Sequence, residues 1–91
     1  MSTKFLMRNQ GIVGYAEPPK AQWLAYNNVD AHDGRGHCEW TSNKARAIRF
    51  DDAKAALEEW RRQSTVRPLR PDGKPNRPLT AYTVTIERVD E

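Results

Sequence analysis

A single cysteine, Cys38, stands in the 91 residues of this chain. One thiol builds no internal disulfide framework, and cysteine this scarce fits a reducing, cytoplasmic setting. Long apolar runs are missing too. None approaches the ~20 residues a membrane-spanning helix needs, and the opening stretch is charged again at Arg8 with no signal-peptide core before it. No membrane contact is expected. Hydrophobic residues make up 37% and aromatics 9% of the chain, against 30% charged residues, so any core is thin. No catalytic motif is present, and there are no internal repeats.

What is there suffices to fold. Three Trp, three Tyr, two Phe and fifteen Ile, Leu, Val and Met are spread along the chain, more than a disordered segment carries. The length suits one small domain over residues 1–91. Charge is unevenly placed: residues 1–43 balance to zero, residues 44–77 sum to +5 and residues 78–91 to −2. The basic middle is the electrostatic feature of the chain.

The pattern predicts a small α+β fold: an antiparallel sheet of about four strands packed against a single helix. Lys4–Arg8 and Ile12–Ala16 read as two short strands joined by a hairpin turn at Asn9-Gln10-Gly11. Pro18-Pro19 stops the second. Gln22–Asn27 and His37–Thr41 are further strands around a polar loop from Asn28 to Gly36, and Ile48–Phe50 is a short extension. The helix starts at Asp51 or Asp52 as cap and runs over Ala53–Gln63, with Ala53, Ala56, Leu57, Trp60 and Ser64 on one arc. Lys54–Glu58 and Glu58–Arg62 are spaced as i,i+4 ion pairs. Residues 67–78 hold four prolines and read as an extended basic connector with a turn at Pro71-Asp72-Gly73. Thr80–Val89 is the strongest strand. Tyr82, Val84 and Ile86 share one face, on which Leu57 and Trp60 would pack, while Ala81, Thr83, Thr85 and Glu87 give a solvated face.

Three chemistries come into question. His32, His37 and Cys38, with Asp30 or Asp33 as a fourth ligand, have no common zinc spacing and read better as a polar hairpin tip; no metal or cofactor is expected. His37 and Cys38 are neighbours on a strand and point to opposite faces, so they form no nucleophile–base pair, and no enzyme is expected. Glu58-Glu59 is a solvated pair on the helix. The third is charge. Arg46 and Arg49 precede the helix, Arg61 and Arg62 end it, and Arg67, Arg70, Lys74 and Arg77 punctuate the connector. Arginine suits bidentate contact with phosphate or carboxylate. These eight residues are the candidate surface for a partner or nucleic acid; the plain alternative is a solubilising surface. Trp23, Tyr26 and Trp40 are the fallback, as stacking platforms on an exposed sheet face.

The run Glu39-Trp40-Thr41-Ser42-Asn43-Lys44-Ala45-Arg46-Ala47-Ile48-Arg49-Phe50, followed by Asp51-Asp52-Ala53-Lys54-Ala55-Ala56, resembles small phage-encoded proteins in which a Trp-Thr pair and an Ala-and-Phe stretch lead into a short Ala-rich helix. Some proteins of this size and layout are anti-CRISPR proteins. The resemblance spans about residues 4–63 and transfers no binding residue. It implies a non-enzymatic inhibitor in the host cytoplasm that binds a host protein or RNA–protein complex and blocks nucleic-acid access to it. Unlike the acidic DNA mimics among such proteins, this chain would use basic or polar surface. A free nucleic-acid-binding accessory module is the alternative.

Overall fold

The computed structural model describes residues 2–91. Four strands form one antiparallel sheet in the order β3-β2-β1-β4: β1 (Thr3–Ile12), β2 (Trp23–Asn28), β3 (His37–Thr41) and β4 (Tyr82–Asp90). Two helices accompany it, so the fold is α+β. The single irregular turn α1 (Ala31–Gly34), in which His32 and Asp33 take left-handed φ of 53° and 57°, sits in the β2–β3 loop, and α2 (Ala53–Trp60) packs on the sheet. Short 3-10 turns occupy Lys44–Arg46 and Pro78–Ala81.

The expected opening hairpin does not form. β1 runs straight through Asn9-Gln10-Gly11, and its register against β4 shifts between Asn9 and Ile12, the mark of a bulge. Gly11 sits at φ 108°, its N–H donates to Asn9 Oδ1 at 2.7 Å, and a Cβ there would lie 2.9 Å from the Ala16 carbonyl oxygen. The glycine therefore serves a bulge and a close approach rather than a turn. The turn comes one step later, with Tyr15 N–H donating to the Ile12 carbonyl at 2.8 Å, and Ile12–Ala16 is no separate strand. The competitor that wins is β4, which pairs with β1 from Thr3 to Ile12.

Both faces of β1 are buried, because Leu6 and Met7 are fully covered and adjacent residues point oppositely. Met7, Leu24 and Leu79 make the helix-side core, joined by Trp40, Phe50, Trp60, Tyr82, Val84 and Ile86. On the other face Leu6 packs with Trp23 and Ala47, where a solvated face was expected. The returning segment covers it: Lys44 Nζ lies 5.2 Å from the Trp23 ring centroid and 2.8 Å from Glu87 Oε2. Thr83 and Thr85 stay exposed on that face. Trp23 and Trp40 are thus core residues of opposite faces, and only Tyr26 of the three fallback aromatics is exposed.

Asp52 caps α2, its Oδ1 accepting from Ala55 N–H at 2.7 Å, while Asp51 instead meets Lys4 Nζ at 2.5 Å. The helix ends at Trp60, three residues before the expected Gln63. Trp60 packs as expected and anchors through Nε1 donating to the Tyr82 carbonyl at 3.1 Å, but Leu57 is 41% exposed. Lys54–Glu58 forms at 3.9 Å; Arg62 lies beyond the helix and pairs with Glu59 at 2.8 Å rather than with Glu58.

Residues 67–78 are not an extended connector. They fold back as a small finger, with Leu69 bridged to Pro75, Asn76 N–H donating to Pro68 and Ser64 N–H donating to Asn76. Its tip is the expected turn: Gly73 takes φ 85° and its N–H donates to the Arg70 carbonyl at 2.9 Å.

Candidate functional site

The eight candidate cations divide between the two ends of β4. Asp51, just before α2, meets Lys4 near the start of β1, and Trp60 at the far end of α2 meets Tyr82 at the start of β4. Because β1 and β4 are antiparallel, these two contacts fall toward opposite ends of the nine-residue β4, a strand ~27 Å long; the Lys4 and Trp60 side chains make up the distance that the eight-residue α2, itself only ~12 Å long, does not cover. Arg46 and Arg49 lie at the first end, whereas Arg61, Arg62, Arg67, Arg70, Lys74 and Arg77 follow from the second. One continuous surface does not contain all eight.

Three of the eight are engaged within the molecule. Arg49 is a staple: Nη2 lies 2.6 Å from Glu91 Oε1, and Nη1 donates to the carbonyls of Lys44 at 3.0 Å and Ala47 at 2.9 Å. That guanidinium holds the Glu91 carboxyl below the usual carboxylate range. Arg62 is paired with Glu59, and Arg70 with Asp72 across the finger tip. Among the described residues no ion pair involves Arg46, Arg61, Arg67, Lys74 or Arg77. Arg46 is isolated on its 3-10 turn. The other four share the α2 C-terminal end and the finger. Arg61 and Arg77 line one shallow hollow with Lys54, Leu57 and Glu58, and Arg77 Nε is itself buried without a hydrogen-bond partner. With Lys54 paired to Glu58, the unpaired guanidinium groups of Arg61 and Arg77 leave the hollow a net positive lining that favours an incoming anion.

The residue that positions this end was not singled out for that role in the sequence. Asp30, in the β2–β3 loop, accepts from Ser64 Oγ at 2.9 Å, Thr65 N–H at 2.6 Å, Thr65 Oγ1 at 2.7 Å and Val66 N–H at 3.2 Å. The Thr65 hydroxyl and N–H lead in lowering its pKa to about 2. Around this latch the loop closes on the finger base. A Cβ on Gly34 would come within 2.5 Å of Arg67 Cβ, one on Gly36 within 2.5 Å of Pro78 Cβ, and Asn76 Nδ2 donates to the Gly34 carbonyl at 2.5 Å. Both glycines also hold positive φ, so they meet steric and conformational demands together. The Ser64-Thr65 pair just past a helix end was the available signal; its acceptor stands 34 residues away and no local pattern names it.

His32 and His37 come together with Tyr26, at ring centroid separations of 5.9 Å for each pair, and His37 Nε2 lies 3.2 Å from Glu39 Oε2. Cys38 belongs to the other face, in the helix-side core beside Tyr82, whose phenol is pushed up by burial and by that thiol. Among the described residues no group of three or more His, Cys, Asp and Glu side chains is placed to hold a metal ion, and no helix is long and apolar enough to cross a membrane. Comparison with protein families, with curated proteins and with solved structures finds no match to this chain.

Proposed function

We propose that this is a non-enzymatic binding protein that acts by occupancy, laying its basic end on a host RNA–protein complex and denying that surface to nucleic acid. The observation that carries the reading is the set of Arg61 at the α2 C-terminal end and Arg67, Lys74 and Arg77 on the finger, none in an ion pair, with the segment between them fastened by Asp30. Cations left without acids are available to phosphate, and a fastened segment loses less entropy on docking than a loose one. With the resemblance of Glu39–Ala56 to small phage proteins, the most specific form is an anti-CRISPR directed at an RNA-guided surveillance complex. A second reading, a module for free nucleic acid, draws on the hollow where Arg61 and Arg77 stand beside the Lys54–Glu58 pair, a place for phosphate oxygens to meet unpaired guanidinium groups.

Titration against isolated RNA, isolated duplex DNA and an assembled RNA-guided complex at physiological salt separates the two. Tight binding to the complex alone, with loss of its target-DNA binding, supports inhibition by occupancy. Equal binding to bare nucleic acid supports the module, and binding to none of the three removes both.

A further inference from the structure

We propose that the free edge of β4 is a self-association surface, on which a second copy of this chain adds its own β4 antiparallel to form an eight-stranded sheet with Ile86 on the two-fold axis. Ser2 and Glu91 exchange both main-chain bonds, at 2.7 and 2.8 Å. In an antiparallel ladder such pairs alternate, so with Thr3 opposite Asp90 and Asn9 opposite Val84, it is Thr85, Glu87 and Val89 that bond to β1. Val84, Ile86 and Arg88 then turn their N–H and C=O groups away from it. Phe5 and Asn9, the β1 residues of the same phase, confirm the alternation by bonding outward to Phe50 and Gln22. β4 is an edge strand, and among the described residues nothing bonds the outward groups of Val84, Ile86 or Arg88.

Edge strands are usually blunted by proline, charged side chains (lysine above all), bulges or short length, and of these β4 carries only the charges of Glu87, Arg88 and Asp90. β4 contains no proline or lysine, runs nine residues where strands average about 5–6, and keeps one register from Val84 to Asp90. At its upstream end the outward groups are already used. Tyr82 N–H donates to the Leu79 carbonyl, and its own carbonyl accepts from Trp60. The free set is therefore centred on Ile86, and a second copy matches it: Val84 faces Arg88 of the partner, Ile86 faces Ile86, and six main-chain bonds form.

Charge selects the same register. Moving the axis to residue 87 would set Glu87 against Glu87, which like-charge opposition disfavours. With the axis at Ile86, Glu87 faces Thr85 instead, and no two like charges are directly opposed. Val13, Leu57, Trp60, Val84 and Ile86 line an apolar groove beside this edge, which the partner strand's helix-side residues would cover.

Sedimentation equilibrium of the full chain over a range of concentrations tests the proposal. The wild type should be a concentration-dependent dimer. Thr85→Glu, at an exposed position whose β1 neighbour is Arg8, should fold normally and weaken dimerisation by about tenfold or more, because two Glu–Glu contacts appear. Thr85→Lys, facing the partner's Glu87, should keep the dimer. Arg88→Pro, which removes only an outward N–H, should weaken it. Circular dichroism monitors folding in each. A wild type monomeric throughout overturns the proposal, as does a dimer that Thr85→Glu and Arg88→Pro both leave unchanged.

Discussion

Asp30 serves four donors with one carboxylate, and the sign of its pKa shift sets how stability depends on pH. Its folded pKa lies near 2 against an ordinary 3.8. The folded state therefore binds the proton more weakly than the unfolded chain does. The stabilisation is fully present above the ordinary value and is lost as pH falls through about 2. Asp30→Asn should lower the melting temperature at pH 7, and the gap from wild type should close progressively between pH 4 and pH 2. A constant gap over that range would mean that the carboxylate charge is irrelevant to the latch. The same variant should raise hydrogen exchange in residues 64–77 before it affects β1, since the bonds it weakens reach only Ser64, Thr65 and Val66. Charges like this one are hard to read from sequence. Asp30 looked like loop polarity or a spare metal ligand, and Arg49 looked like partner surface, because Ser64, Thr65 and Glu91 reach them only through the folded chain.

At the scale of elements, α2 is held to the sheet chiefly by one side chain. Ala56 is buried but small and Leu57 is only partly covered, so Trp60 is the largest apolar contact, with its Nε1 bonded to the Tyr82 carbonyl. Trp60→Ala should destabilise the protein by about 3 kcal/mol, at the lower end of the range for tryptophan truncation because the ring is only partly buried. Denaturant titration measures it, and a change below about 0.5 kcal/mol, the level of a surface substitution, would mean that α2 docks by other contacts. Trp60→Phe should recover much of the loss but not the hydrogen bond. α2 and β4 were legible in the sequence because each signal is local: an aspartate cap before an alanine-rich run, and strict alternation from Tyr82 to Ile86. β1 was misjudged because a glycine in a bulge and a glycine in a turn read alike until the partner strand is known. The polar face of β4 misled similarly. Its alternation is real, but Trp23 and Ala47 arrive from elsewhere to cover the Leu6 end.

For the whole molecule the question is which end of the sheet the proposed partner would meet, and the separation of the cations makes it answerable. Arg61, Arg67 and Lys74 are exposed and make no ion pair, so reversing all three to glutamate should leave the fold intact. Arg77 is better left in place, because its Nε is buried. Each phosphate neutralised contributes a slope of about −0.9 to log affinity against log salt on duplex DNA and about −0.7 on single strands. If these three residues contact phosphates, the triple variant should flatten the salt dependence by up to about 2.7 on duplex or about 2.1 on single strands, and association should slow. Arg46→Glu, at the opposite end of β4, should change neither. The reverse outcome would move the site to the Arg46 end, and indifference to all four substitutions would leave the charge a solubilising role alone. Self-association through β4 is a separate matter. Antiparallel pairing sets the two basic ends of a dimer apart, at opposite ends of the joined strands, so Thr85→Glu should remove any avidity for a repetitive polyanion while preserving the affinity of a single basic end.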